Sequence, residues 1–146
     1  MTPAAGFIDP TDPASIQTRE VDITDGYVLM PGTLALGSVR ESFDCTAPLR
    51  SWWGGKTYYY PVIAGRSTFA RVGCGMHITA GEGDWGFVAN FTLELTAQVP
   101  IILRPGYRAA QVYFKPLAGK PSAPYKSVYS RQTGPQAPIL GRERVY

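Results

Sequence analysis

The chain is poor in the residues that most often carry metal or redox chemistry. In 146 residues it has one histidine, His77, and two cysteines, Cys45 and Cys74. A single histidine excludes a two-histidine metal site or a paired-imidazole relay within one chain. Zinc-dependent base deamination needs H-x-E with P-C-x-x-C, and His77 is followed here by Ile78 and Thr79, which rules that chemistry out. His77 reads as a hydrogen-bonded structural residue, and the two cysteines, with no C-x-x-C spacing, read as reduced thiols. Charge is also scarce, at 17% of residues, and 14 basic against 11 acidic side chains leave a net +3. That excess is too small for a sequence-independent duplex binder, so no nucleic-acid polymer is expected as partner, while small anions remain. No apolar run is long enough to cross a bilayer and no signal-like segment is present, which predicts a soluble, cytoplasmic protein without a membrane partner.

What is abundant is glycine (16), proline (13) and aromatic residues (12%). Glycine and proline interrupt helices, whereas tyrosine, phenylalanine, valine and threonine suit a pleated, half-buried surface, so the composition favours an all-β domain. Residues 1–19 hold three prolines and no apolar period and read as an extended N-terminal arm. Short apolar runs then follow at 27–30, 33–37, 58–64, 75–79, 87–95, 99–103 and 108–114, joined by glycine and proline, which is the spacing of a sandwich or barrel over 20–117. Pro61 is expected to place its strand at an edge or bulge. Residues 41–57 read as a loop with an aromatic knot at Trp52 and Trp53, and 66–73 as one short helix. Beyond 117 the chain turns proline-rich and loses apolar period, leaving 118–146 as a tail unable to fold alone.

Three places could hold chemistry. The segment GRSTFARVG at 65–73 sets Arg66, Ser67, Thr68 and Arg71 on one turn, a combination of hydroxyls and guanidinium groups that suits phosphate but equally describes a Ser cap with solvated arginines. In NFTLEL, alternation puts Phe91, Leu93 and Leu95 on one face and Asn90, Thr92, Glu94 and Thr96 on the other. Glu94 is then either a carboxylate on a wet sheet face or a general acid/base in a cleft. Asp84, in the glycine-rich stretch TAGEGDWG, is either a backbone cap or a site residue.

Taken together, GRSTFARVGCGMHITAGEGDWGFVANFTLEL at 65–95 resembles the dCTP deaminase branch of the trimeric dUTPase superfamily, whose pattern is near G-R-S-S-x-A-R-x-G, H-x-T-A, I-D-x-G and L-E. MPGTLALGSVRESF at 30–43 and VPIILRPGYRAAQVYFKPL at 99–117 are similar to its flanking stretches, so roughly 27–135 is covered. The resemblance implies a distorted jelly roll or β-barrel, a homotrimer with sites at subunit interfaces, and zinc-independent deamination of dCTP to dUTP. It assigns Glu94 as general acid/base, with Arg71 and Ser67 positioning water and nucleotide. It places Arg66 and Thr68 in the triphosphate turn, Thr79, Ala80 and Thr92 near the base, Asp84 near the sugar, and Tyr125 and Gln132 in a tail that closes over the phosphates. No protein-bound metal is implied; Mg2+ arrives on the triphosphate.

The chain departs from that pattern in four places. Nothing like S-V-D-L-R precedes Val21, Val128 stands where a lysine normally precedes the second tyrosine, the sugar turn reads Gly83-Asp84-Trp85-Gly86, and 46–60, with Trp52, Trp53 and Tyr58 to Tyr60, looks inserted. These departures keep two alternatives open: dUTP pyrophosphatase or bifunctional deaminase/dUTPase activity on the strength of Asp84, and a non-catalytic trimeric nucleotide-binding or interaction module.

Overall fold

A computed structural model of the chain describes residues 1–4, 6–50, 52 and 54–140. Trp53 and the last six residues of the tail lie outside the described residues. The fold is all-β with a single short helix. Its strands are β1 (Thr2–Pro3), β2 (Ile16–Gln17), β3 (Tyr27–Leu29), β4 (Ala35–Asp44), β5 (Leu49–Arg50), β6 (Lys56–Thr57) and β7 (Tyr59–Gly65). The helix α1 (Ser67–Arg71) follows, then β8 (Cys74–Gly75), β9 (Val88–Ala97), β10 (Ile101–Leu103) and β11 (Ala110–Pro116). Pairing is antiparallel throughout: β4–β9–β8 form one sheet, and β7–β11, β3–β10, β5–β6 and β1–β2 form two-stranded ribbons. Among the described residues the strands do not close into one barrel. No helix there is long and apolar enough to cross a membrane.

The centre of the fold is β9. Its alternation is complete: Ala89, Phe91, Leu93, Leu95 and Ala97 are buried and the residues between them half-buried. Each fully buried Leu or Phe of this kind removes enough apolar surface to be worth roughly 1.5–3 kcal/mol. Aromatic rings tie the sheets together. Phe87 stacks on Phe91 at 4.8 Å between centroids, Phe43 meets Phe91 edge-on at 5.5 Å, and Phe43, Phe114 and Tyr59 continue the row at 6.5 and 5.4 Å. The row carries contact from the β4–β9 sheet to the β7–β11 ribbon, the two layers of the core.

Glycines let backbone approach backbone at β7. Ile63 N–H donates to Gly81 O and Gly83 N–H to Pro61 O, so the 81–83 segment lies along the edge of β7 not used by β11. A Cβ on Gly83 would stand 2.9 Å from Pro61 Cγ. Pro61 is therefore neither at an edge nor in a bulge: it is fully buried with neighbours on both sides. It accepts Gly83's bond and, lacking an N–H, returns none, which ends that pairing.

Several local expectations need correction. Ala35–Asp44 form one long strand rather than a strand and the start of a loop, with a bulge between Ser38 and Ser42. The 46–60 segment holds a small hairpin, β5–β6, whose Trp52 is 94% exposed, so no aromatic knot forms around it. The strand expected at 75–79 stops at Gly75. Within the N-terminal arm, β1 pairs β2 across a 3-10 turn at Pro13–Ser15 capped by Asp12. Cys45 and Cys74 are buried free thiols, and burial raises both above the usual thiol range.

Phe91 joins two of the ring contacts, so Phe91→Ala is expected to cost about 3–5 kcal/mol of stability, read from the midpoint of chemical denaturation. A loss below about 1 kcal/mol would mean that the ring row is not the core.

Candidate functional site

The half-buried face of β9 presents Asn90, Thr92, Glu94 and Thr96 in register. Glu94 pairs across β4 with Leu36 and its N–H donates to Met76 O at 3.0 Å. Its carboxylate is fixed by an unusual partner: Ile78 N–H donates to Oε2 at 2.7 Å. The 76–80 stretch, expected as strand, turns away from β9 after Gly75, where only glycine fits because a Cβ would lie 2.5 Å from Thr96 Oγ1. A charge-assisted bond from a backbone N–H is short and directional, so it sets the carboxylate's orientation. Thr79 and Ala80 follow directly in the same turn and are exposed. His77, just before it, packs its ring against Gly81, where a Cβ would meet Cε1 and Nε2 at 3.1 Å. Its Nδ1 is buried without a partner, so the hydrogen-bonded histidine expected from sequence is not what the structure contains.

The tail supplies the next element. Where β8 has left the edge of β9, residues 131–132 take its place: Arg131 N–H donates to Val88 O at 2.8 Å and Asn90 N–H to Gln132 O at 3.1 Å. The Gln132 side chain then donates from Nε2 to Asn90 O and to Thr92 Oγ1, both at 2.9 Å. Gln132 and Thr92 therefore meet one step along the same face from Glu94. Arg131 adopts φ 63°, a left-handed conformation that costs a non-glycine residue ~1–2 kcal/mol and is held here by the bond to Val88. Upstream, Tyr125 N–H donates to Trp85 O at 2.8 Å, and Gly86, at φ 84°, leaves Pro124 the room a Cβ would take at 2.5 Å. Trp85 also meets Tyr58 edge-on at 5.6 Å. Tyr129 Oη accepts from Ile139 N–H at 3.0 Å.

Asn90 was absent from the sequence-based site. Its Nδ2 donates toward Val39, Arg40 and Glu41 carbonyls at 3.3, 3.4 and 3.0 Å, which satisfies the bulge in β4 that no ladder partner can reach. The only hint in the sequence is an amide at the start of a polar alternation.

The basic turn stands apart. Arg66 is the N-cap of α1 in an extended conformation and makes no side-chain cap, so Ser67 is the first helical residue and not a cap. Arg66 N–H donates to Ala109 O at 3.0 Å and Nη1 to Arg108 O at 3.4 Å. A shallow depression of about 280 Å³ opens there, lined by Arg66, Thr68, Phe69, Tyr107 and Arg108. Ser67 and Arg71 are exposed, and among the described residues neither side chain bonds to Glu94 or to any other group. Asp84 is also exposed; its carbonyl accepts from Phe87 N–H at 3.0 Å and its carboxylate is unpaired among the described residues. One chain thus brings Glu94, Thr92 and Gln132 onto one strand face, with Thr79 and Ala80 beside them. It brings Tyr125 to the Asp84 turn, and among the described residues no bond joins Arg66, Ser67, Thr68 or Arg71 to Glu94. No group of three or more potential metal ligands occurs among the described residues.

Comparison with known proteins adds the following. A family model described as dCTP deaminase-like matches residues 1–117, reaching further back than the stretch recognised from motifs. A dCTP deaminase, dUMP-forming, from Methanosphaera stadtmanae is 30% identical over 141 residues, covering 89% of this chain and 66% of that protein. Proteins of the same name from Beutenbergia cavernae and Dictyoglomus thermophilum are each 34% identical, covering 94% and 92% of this chain and 70% and 69% of theirs. The chain spans about two thirds of the length of the curated relatives it matches.

Gln132 carries both a backbone and a side-chain link to β9, so Gln132→Ala should speed hydrogen exchange across 124–132 while leaving the amides of β9's core half, 93–97, unchanged. Equal protection in both proteins would show that the tail is held elsewhere.

Proposed function

Because the chain belongs to the dCTP deaminase-like family, we propose that it deaminates dCTP hydrolytically, with Glu94 as general acid/base, at a site completed by a second copy of the chain. The observation that carries this reading is the carboxylate of Glu94, held on an otherwise neutral, half-buried face by Ile78 N–H and flanked by Thr92 and Gln132. In the proposed reaction Glu94 takes a proton from water as the oxygen adds to C4 of cytosine. The proton is then delivered to the exocyclic nitrogen, the C4–N bond breaks, ammonia leaves, and the hydroxyl proton passes to N3 so that a C4 carbonyl remains. The backbone of Thr79 and Ala80 and the hydroxyl of Thr92 are the groups we assign to the base, and Tyr125 and Gln132 are the tail groups we assign to the bound nucleotide.

The phosphates are assigned to the patch at Arg66 and Thr68, and Ser67 and Arg71 on the same turn to positioning the water and the nucleotide. Since that patch does not meet Glu94 within one chain, we infer that the patch of one copy faces the strand of the next, in a homotrimer. Mg2+ would travel on the triphosphate as part of the substrate. The relatives' names give dUMP as product, so we take dUMP, pyrophosphate and ammonia as the products in place of dUTP. The unpaired, exposed carboxylate of Asp84 is the group proposed to activate the second water.

The test is product analysis with Mg-dCTP. Wild-type protein should release ammonia and dUMP, and Glu94→Gln should lose at least about 10³-fold in rate with nucleotide binding retained. Accumulation of dUTP would remove the Asp84 step alone. Binding without any turnover would leave a nucleotide-binding module and overturn the enzyme reading.

A further inference from the structure

Among the described residues the most exposed large apolar side chain is Trp52, 94% exposed in the loop that closes the β5–β6 hairpin. The hairpin stands off the body. Its two strands pair only with each other among the described strands, and a Cβ on Gly54 would meet nothing within 4 Å. A lone two-stranded hairpin is marginally stable in water, and this one carries a further cost. Arg50 and Lys56 are direct partners in the register, so both side chains leave the same face, with Cβ atoms about 5 Å apart. Like charges placed that way repel.

Nothing in the chain neutralises the pair. Both residues are exposed, and neither side chain has a hydrogen bond or ion pair among the described residues. Between Asp44 and Glu82 the sequence holds no carboxylate side chain at all, and those two are engaged elsewhere. Asp44 accepts from the Thr46 N–H at 3.0 Å and hydroxyl at 2.6 Å, and Glu82 pairs with Lys115 at 2.7 Å. An external anion between Arg50 and Lys56 would therefore remove a repulsion that the fold leaves in place.

The order of groups along the hairpin decides which anion fits. Residues 51–55 lie beyond the Arg50–Lys56 pair, so the indole is outermost and the cations form a collar behind it. Single-stranded nucleic acid is held by rings and cations that line one shared groove, which is a different arrangement. An anionic lipid surface has the layering found here: tryptophan settles at the boundary below the headgroups, while arginine and lysine reach back to the phosphates. Leu49, next along β5 and so on the opposite face from the cations, is also exposed and adds apolar surface.

We propose that the β5–β6 hairpin is a peripheral anchor for an anionic lipid surface, with Trp52 entering the headgroup boundary and Arg50 and Lys56 taking the lipid phosphates. A contact of this kind needs no spanning segment, so it is compatible with a helix too short to cross a membrane, and it replaces the sequence-based expectation of no membrane partner. It is independent of the deaminase reading, because none of the three residues is assigned to that site.

The test is co-sedimentation of the full chain with phosphatidylcholine vesicles prepared with and without phosphatidylglycerol. Binding should require the anionic lipid and fade as salt rises. Arg50→Gln and Lys56→Gln should each weaken it about fivefold, and Trp52→Ala roughly tenfold. Lys56→Glu sets a carboxylate opposite Arg50 and should abolish binding while the thermal midpoint stays level or rises, which separates loss of the anchor from loss of fold. Equal binding to neutral vesicles, no binding to either kind, or binding unmoved by these substitutions overturns the proposal. So does a labelled oligothymidylate that binds through Trp52 when vesicles do not, since the hairpin is then a nucleic-acid contact. Turnover of Mg-dCTP without vesicles should be the same in every variant; a wild-type protein that binds vesicles and turns over no dCTP keeps the anchor and fails the deaminase reading alone.

Discussion

Everything in this molecule depends on the two-residue period of β9. A strand turns alternate side chains to opposite faces, so the register that buries Phe91, Leu93 and Leu95 necessarily presents Asn90, Thr92, Glu94 and Thr96 together. A slip of one residue would drive Glu94 into the core and Phe91 into water, a penalty of several kcal/mol for the unpaired carboxylate alone. The apolar face therefore fixes the address of the polar one. Stability and site are two sides of the same ten residues.

The second constraint is competition for backbone hydrogen bonds beside β9. From Cys74 the ladder with β9 runs normally, and it ends where the Glu94 side chain captures Ile78 N–H. A carboxylate that takes a main-chain donor offers the backbone an alternative to the sheet, which explains why GMHIT has a strand-like composition and yet turns away. The vacated edge downstream does not stay open. Gln132 fills it with its own backbone carbonyl and its side-chain amide, so a tail with no regular structure gains a defined place on the body.

These two constraints explain which parts of the fold were legible in the sequence. The alternation at 87–95 is a local pattern and needs no partner to be read, and the same holds for the short helix between Gly65 and Gly73. The β4 bulge was invisible because its satisfaction comes from Asn90, some fifty residues away. Pro61 was misread for a related reason: a proline can sit inside a flanked strand when the neighbour on its N–H side stops there, and nothing near position 61 announces that neighbour at 81–83. The glycines at 81 and 83 read as turn residues, but their contribution is the absence of a side chain against β7. The candidate site was legible in its residue types and only partly in its geometry, because among the described residues no bond joins the basic turn to the carboxylate.

That separation has a chemical logic. A guanidinium fixed against Glu94 would hold the carboxyl ionised, whereas a general acid/base must carry a proton between water and a leaving amine. Within the chain Glu94 has one neutral backbone donor and hydroxyl and amide neighbours, and the single ion pair among the described residues, Lys115 with Glu82, lies elsewhere on β11. On the proposed reading Arg66 comes from another copy and arrives with the negative charges of a triphosphate between it and the strand, so that its field falls on the phosphates. Placing the cation and the acid on separate elements, to be combined only when substrate bridges them, would on that reading let a small β-domain bind a polyanion without disabling the group proposed as its acid/base.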